Sequence, residues 1–367
     1  MRVLALVNEA FGGRGGIAQY NRDFVRAMSV SREVTHVVVL PRHADDGVGC
    51  PPAVSQRRPR AARMTYAVSV LREVMTSPKF DIVFAGHLNL SPLAALAAHV
   101  CRAQLWLQVH GREAWRAPSR IVRYAAGRAD LITSVSRHTR QQMIGHWWPG
   151  ERERVRVLPN TFGNSFRPGP TDGALLARYG LADCKVVLTV GRSAASERYK
   201  GHDRVMSLMP RLRMRHPDAT YLIVGGGDDE PRLRALAAAH GAGDSVVFAG
   251  YVTSDDLPAH YNLADVFVMA STGEGFGITF LEAAACGLPV IGGRHDGSLD
   301  ALREGRVGRL IDLGGDEALL AELDAALSGA RGGNPQSVDV FRRARFEHHV
   351  DRLLQDLVAA RTNGSRL

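Results

Sequence analysis

Short apolar runs rich in β-branched residues alternate with longer stretches of helical periodicity along most of the chain. The pattern predicts strands over 2–7, 34–40, 81–85, 105–109, 130–134 and 155–158. It predicts a second set over 185–190, 220–224, 245–249, 264–270 and 288–291. Nearly every position in these runs is apolar, as in strands covered by helices on both faces. Alternation with helices predicts a parallel sheet in each half. Between the halves, residues 159–183 carry Pro159, Pro168, Pro170 and four glycines, the composition of a linker. The expected fold class is therefore α/β, with Rossmann-like domains at 1–162 and 183–335, joined by 163–182 and facing a cleft. Residues 336–367 read as a long charged helix with Val340, Phe341, Phe346, Val350, Leu353, Leu354 and Leu357 as its apolar positions.

At 367 residues the chain is long enough for two domains, each with its own core. No uninterrupted apolar stretch reaches the roughly 18–20 residues of a membrane-spanning helix. The opening residues lack a basic leader and a cleavage site, so no secretory signal is expected. Cys50, Cys101, Cys184 and Cys286 are scattered and suit neither a disulfide framework nor a metal cage. A reduced, cytoplasmic setting is the expectation. The net charge of +9 is uneven: residues 1–160 hold 23 Lys and Arg against 11 Asp and Glu, the remainder 23 against 26. An excess confined to one half points to an anionic partner for that half. Arg112, Arg116, Arg120 and Arg123, with Trp115 and Ile121, suggest a basic amphipathic helix lying on anionic lipid, or else a solvated Arg-rich surface. No nucleic-acid recognition motif accompanies the charge.

The densest chemical signal is Glu274-Gly-Phe-Gly-Ile-Thr-Phe-Leu-Glu282. A strand ends before it and a helix opens near Gly277, so Gly275 and Gly277 let backbone approach a ligand closely. The first amides of that helix, around Phe276, Gly277 and Ile278, favour an anion such as a diphosphate. Glu282 is the one charge in an otherwise self-burying stretch and needs donors, for which ribose hydroxyls are suited. The plainer alternative is that Glu282 caps a neighbouring loop. Arg192 follows the strand 185–190, and Lys200-Gly201 stands at the next helix start, a fork and a point charge suited to developing phosphate charge. In isolation they read equally as surface cations beside a turn. Gly12-Gly-Arg-Gly-Gly16 joins the first strand to the first helix, a place to cradle phosphate or admit a sugar, though its spacing is not the dinucleotide fingerprint. His110-Gly111 closes the strand 105–109, where an imidazole can bond a sugar hydroxyl or orient a reacting group.

Taken together these residues resemble the retaining glycosyltransferases of family 4, which have the GT-B fold. The family's two-glutamate motif matches Glu274 and Glu282, its phosphate site Arg192 and Lys200, its amino-terminal glycine loop Gly15 and Gly16, and its His-Gly His110-Gly111. The resemblance implies that Arg192 and Lys200 hold the donor diphosphate and that Glu282 binds ribose. Glu274, with Gly275 and the amides of Phe276, Gly277 and Ile278, would hold the donor sugar. His110 would contact that sugar near its reacting centre, backbone near Val252 would read the base, and Gly16 would let substrates approach. His110, Glu274, Arg192 and Lys200 are thus the catalytic candidates. The resemblance further implies a carboxyl-terminal helix returning to the first domain, no cofactor and no metal. The acidic pairs Asp45-Asp46, Asp228-Asp229 and Asp255-Asp256 lack the D-x-D arrangement of metal-dependent relatives. Two features depart from the family pattern: Asp300 stands where many members carry Glu, and Glu197 lies beside the cationic site.

The expected activity is transfer of a hexose-type sugar from a UDP- or GDP-sugar to a saccharide or polyprenyl-diphosphate-linked saccharide, as in bacterial surface polysaccharide assembly. Peripheral membrane contact through the basic first domain would accompany it. The alternatives are transfer to a small soluble natural-product acceptor, or a nucleotide-sugar epimerase or binding protein on the same scaffold.

Overall fold

The structure, a computed structural model, describes residues 1–44, 49–329 and 332–362. Asp45, Asp46 and the end of the expected final helix, 363–367, lie outside the described residues. The chain divides into two compact units, Met1–Thr161 with Arg343–Leu367, and Phe162–Arg342.

In the first unit the strands are β1 (Arg2–Val7), β2 (His36–Pro41), β3 (Val54–Gln56), β4 (Ile82–Ala85), β5 (Gln104–Val109), β6 (Leu131–Ser134) and β7 (Val155–Val157). They form a parallel sheet of order β3-β2-β1-β4-β5-β6-β7. Its helices are α1 (Gly16–Val30), α2 (Arg63–Thr76), α3 (Ser91–Cys101), α4 (Arg112–Trp115), α5 (Arg120–Gly127) and α6 (Arg137–His146). Tyr66 and Val70 of α2, Ala94 and Ala97 of α3, and Val122 and Ala126 of α5 bury against Leu4, Leu6, Val83 and Leu107. These three helices therefore cover one face of the sheet. Alternation along the strands sends Phe84 and Trp106 to the other face, where Phe24 of α1 stacks on Phe84 at 4.1 Å and meets Trp106 edge-on at 5.0 Å.

The second unit has β8 (Lys185–Val190), β9 (Ala219–Val224), β10 (Val246–Gly250), β11 (Val266–Met269), β12 (Val290–Gly293) and β13 (Arg309–Ile311). Its order is β10-β9-β8-β11-β12-β13, again parallel. The helices here are α7 (Gly173–Tyr179), α8 (His202–Arg213), α9 (Glu230–Ala239), α10 (Leu257–Tyr261), α11 (Ile278–Ala285), α12 (Ser298–Ala301) and α13 (Glu317–Leu327). In each sheet the strand order reverses once, between β1 and β4 and between β8 and β11, and ligands of such sheets bind at the carboxyl ends beside that point.

Four features differ from the sequence expectation. β3 and β13 are three-residue edge strands too short to show as apolar runs. Residues 163–182 belong to the second unit and contain α7, which Asp172 caps by accepting from the amides of Ala174 and Leu175 and which Gly180 closes at φ 64°. The 112–123 stretch is two short helices, α4 and α5, parted by a turn that includes Pro118, and not one amphipathic helix. Trp115 turns inward, its Nε1 donating to Thr139 at 3.1 Å. Finally, the tail begins with a 3₁₀ segment, Pro335–Phe341, in the second unit. Only then does α14 (Arg343–Thr362) run in the first unit. There Phe346 meets Tyr20 at 5.9 Å, Asp351 accepts from Ser31 Oγ at 2.6 Å, and Arg343 lies 3.6 Å from Asp23.

Candidate functional site

In the second unit, the chain leaves β8 at Gly191-Arg192, makes a 3₁₀ turn over Ala195–Lys200 and enters α8. Gly201 has φ 80°, and a Cβ there would stand 2.2 Å from the Ala270 carbonyl oxygen. Only glycine permits that approach, which delivers Lys200 to the carboxyl end of β11. A buried carboxylate, Asp229, braces the turn by accepting from Arg198 at 2.9 Å and Arg232 at 2.6 Å. Those two guanidiniums, Arg232 first, hold the Asp229 pKa below its ordinary value. At the centre of the turn Glu197 spends both carboxylate oxygens on the expected phosphate ligands. Oε1 accepts from Arg192 Nη2 and Oε2 from Lys200 Nζ, the latter at 3.0 Å. Glu197 and Lys200 are 10% and 14% exposed, whereas Arg192 is 66% exposed. The pair of cations is thus already arranged around a carboxylate, an anion of one charge with two oxygens.

Beside it, β11 leads through Ser271–Gly277 into α11. Gly277 starts this helix at φ 91°, and no side chain caps it. Its first amides therefore have no intrahelical acceptor and carry the positive end of the helix dipole. The loop is held by Asp296, a residue the motif reading did not single out. Asp296 is 1% exposed; its Oδ2 accepts from the Glu274 amide at 2.7 Å and Ser271 Oγ at 3.1 Å, and its Oδ1 from the Ser298 amide at 2.9 Å. Gly297 donates to the Glu274 carbonyl at 2.8 Å. Glu274 itself has a buried Oε2 without a hydrogen-bond partner. Burial raises its pKa, opposed by Lys200 and reinforced by Asp296 and Glu197. Arg192, Lys200, Glu274 and the mouth of α11 are therefore brought together.

The other second-unit candidates are placed less simply. Phe276 and Ile278 are buried, Phe276 against Phe341 with ring centres 5.6 Å apart, so only their backbone is available to a ligand. Glu282 is 3% exposed and accepts from Tyr261 Oη at 2.8 Å, so a phenol supplies one of the donors its burial demands. Val252 follows β10. That strand's Gly250 carbonyl accepts from the Gly225 amide at 2.8 Å, and the Gly225 carbonyl accepts from Ser193 Oγ at 3.0 Å, which stitches the β10 end to the Arg192 loop.

In the first unit, β1 runs into the glycine loop, and Gly15, at φ 87°, precedes α1 with no side-chain cap. Arg22 of α1 reaches back to donate to the Gly13 carbonyl at 2.7 Å and the Ala10 carbonyl at 3.2 Å, which fixes the loop's shape. His110 follows β5. Its amide donates to Glu113 Oε1 at 2.5 Å, and its Nε2 lies 2.9 Å from the Gly86 carbonyl oxygen. A carbonyl only accepts, so Nε2 carries the hydrogen and the neutral ring keeps Nδ1 as an acceptor. Burial, partly offset by Glu113 and aided by His87, lowers the His110 pKa to about 4. Tyr20 of α1 meets His110 edge-on at 5.0 Å and donates to Gln108 at 2.6 Å, linking the glycine-loop helix to the imidazole. Beside the loop opens a cavity of about 510 Å³ lined by Glu9, Gly12, Gly13, Arg14, Arg42 and His43, among others. Arg42 donates through Nη2 to the Ala61 carbonyl, while its buried Nε has no hydrogen-bond partner.

Known proteins share this architecture and these sequences. A family model described as Glycosyltransferase Family 4 matches residues 14–162, and one described as Glycosyl transferases group 1 matches residues 180–338. The GDP-mannose-dependent alpha-(1-6)-phosphatidylinositol monomannoside mannosyltransferase of Mycolicibacterium smegmatis is 30% identical over 340 residues, covering 84% of this chain and 85% of that protein. The D-inositol 3-phosphate glycosyltransferase of Acidothermus cellulolyticus is 35% identical over 206 residues, 52% of this chain and 45% of that protein. Among solved structures, Anabaena Alr3699/HepE in complex with UDP and glucose superposes with a TM-score of 0.78 at 20% identity, covering 97% of this chain and 100% of that one. The sucrose-phosphate synthase from Thermosynechococcus elongatus gives 0.77 at 20% identity, covering 98% and 100%. The structures share the GT-B fold, and the Mycolicibacterium smegmatis relative carries the sequence likeness through both units. With both units matched, the chain belongs to glycosyltransferase family 4, whose members use nucleotide sugars.

Proposed function

We propose that this chain moves a hexose from a nucleoside-diphosphate sugar to a saccharide or lipid-linked saccharide acceptor, with retention of configuration and without a metal ion. The observation that carries the reading is the convergence of Arg192 and Lys200 on a single carboxylate beside the uncapped start of α11. A diphosphate offers more oxygens and more charge than Glu197 does, enough for both cations and the open amides of α11. Exposed Arg192 is free to follow it, while largely buried Lys200 stays in place. When the glycosyl–phosphate bond breaks, charge grows on the leaving diphosphate, and preorganised donors stabilise it without reorganising. The anomeric carbon gains a bond to the acceptor oxygen, and the acceptor proton passes to the departing phosphate oxygen. Nδ1 of His110 accepts from a sugar hydroxyl, and as a neutral ring it adds no charge to a centre becoming cationic.

GDP-mannose is the donor we favour, after the mycobacterial relatives named for it. Glu282 and Tyr261 would take the ribose and backbone at Val252 the base. The first unit would take the acceptor, and its cavity at Arg14, Arg42 and His43 favours one bearing phosphate or another anion. Surface polysaccharide or glycolipid assembly in the cytoplasm suits those substrates. A thermal-shift panel of nucleoside diphosphates and their sugars tests the donor, because a ligand of the folded state raises its melting temperature by mass action. GDP and GDP-mannose are expected to stabilise the chain most, and product anomers made in the presence of a chelator then report retention and metal independence. No stabilisation by any nucleoside diphosphate would remove the reading.

A further inference from the structure

Three neighbouring helices of the first unit carry large apolar side chains on the side that faces away from the sheet. On α2, Tyr66 and Val70 are buried, while Met64, Val68, Leu71 and Met75 are exposed, from 38% for Leu71 to 77% for Met64. At about 100° per residue these four fall within roughly 60° of one another, on the side of the helix opposite Tyr66 and Val70. They form one stripe, spaced like a buried helix face. On α3, Ala94, Ala97 and Ala98 face the sheet and Leu96 and Val100 face out. On α5, Val122, Ala125 and Ala126 face the sheet and Ile121 and Tyr124 face out. α3 packs against both α2 and α5, so the three outward faces adjoin.

The exposed charge on these helices is one-signed. Arg63 and Arg72 on α2 and Arg120 and Arg123 on α5 are exposed, and α3 has no acid. The only acid on the three helices, Glu73, is bound by Arg57 at 2.7 Å. A second copy of this chain would bring the same cations against themselves. An apolar surface with Arg among its exposed positions is complementary instead to a layer whose surface is anionic and whose interior is apolar.

We propose that the outward face of α2, α3 and α5 docks on an anionic lipid bilayer, with Met64, Val68, Leu71, Met75, Ile121 and Tyr124 entering the headgroup region. The surface differs from the 112–123 segment that the sequence suggested: α5 contributes to it, but α2 supplies its longest stripe. The inference rests on the geometry of this face and stands apart from the choice of sugar or acceptor.

Flotation of the full chain with vesicles tests it. The chain is expected to float with vesicles of equal parts phosphatidylcholine and phosphatidylglycerol, to stay behind with phosphatidylcholine alone, and to be released as salt is raised several-fold. Replacing the stripe together (Met64→Gln, Val68→Gln, Leu71→Gln, Met75→Gln) is expected to lower binding at least about tenfold. Arg120→Ala with Arg123→Ala is expected to lower it several-fold. All six positions are exposed, so both variants are expected to melt like the wild type and to keep its nucleotide-induced shift. The proposal is overturned by a wild-type chain that ignores the mixed vesicles or by a stripe variant that floats equally well. It is also overturned by a wild-type dimer that the stripe variant splits to monomers, which would make a second copy the true cover.

Discussion

The two sheets present their strand ends in contrasting ways. In the second unit the site is built from charges that balance one another: Arg192 and Lys200 on Glu197, with Glu274 raised in pKa by burial, and Lys200 opposing what two further carboxylates add. In the first unit the corresponding edge is a glycine loop and an imidazole kept neutral by burial. In the proposed reaction the charged edge would hold a leaving diphosphate, and the imidazole of the other would accept a hydrogen bond without adding charge beside a centre becoming cationic. The same α/β grammar thus serves opposite electrostatic ends, and the difference lies in a few residues after β1, β5, β8 and β11.

The largest effect that sharpens this contrast is expected from Lys200→Ala. Loss of one preorganised donor costs about 10²–10³ in kcat, and the fold should survive, as judged by an unchanged sheet signal in circular dichroism. Near-normal turnover would break the assignment of the charged edge. Next in size is a pair of glycine substitutions. A Cβ at Gly297 would stand 2.0 Å from the Gly275 carbonyl oxygen, whereas a Cβ at Gly15 meets nothing within 4 Å. Gly297→Ala is expected to cost about 1–3 kcal/mol through the displaced Glu274 loop. Gly15→Ala meets no neighbour, and its cost of about 1–3 kcal/mol comes from the backbone alone, at φ 87° and ψ 175°, a region essentially reserved for glycine. A Gly297→Ala melting temperature equal to the wild type's would show that the loop after β11 is looser than its hydrogen bonds imply.

A smaller effect reads the neutral edge. The folded chain resists protonation of His110 down to about pH 4, whereas an ordinary histidine takes its proton near 6.5. The unfolded chain therefore binds the extra proton first. The stability that His110 contributes is complete above pH 6.5 and is lost as pH falls from there towards 4. His110→Gln is expected to flatten the decline of melting temperature across that window. A residual slope should remain, because burial lowers His202 in the second unit to about 4 as well. An unaltered slope would mean that the first-unit imidazole is not held neutral. The smallest effect is expected from Glu282→Gln, which still offers Tyr261 Oη an acceptor oxygen at its 2.8 Å partner position. Stability should change by less than about 1 kcal/mol, while any weakening of nucleotide binding in calorimetry isolates the charge of Glu282 from its packing.

How much of this was legible in the sequence depended on how local its cause was. β1 and β8 were readable to the residue because a strand covered on both faces must be apolar throughout. β3 and β13 were not, because a short edge strand owes its place to backbone pairing with β2 and β12 rather than to its own pattern. α7 carried a readable cap in Asp172 and a readable stop in Gly180, and the prolines before it masked both. In the candidate site, Glu274, Arg192 and Lys200 announced themselves by position after strands. Asp296 did not, since its partners Ser271 and Glu274 lie more than 20 residues earlier in the chain. Glu197 was visible as an acid beside cations. That both its oxygens are engaged depends on a turn set by Gly201 and Asp229, which no spacing rule describes.

The return of α14 to the first unit has a consequence for the order in which the protein matures. Asp23, Ser31, Gln104 and Arg156 all find partners on α14, at Arg343, Asp351, Leu357 and Asp356. A ribosome making this chain releases everything the second sheet needs before it releases the helix that completes the first. The half synthesised earliest is the half finished last, and until then the surface of α1 that α14 covers waits as a place where a chaperone can hold on.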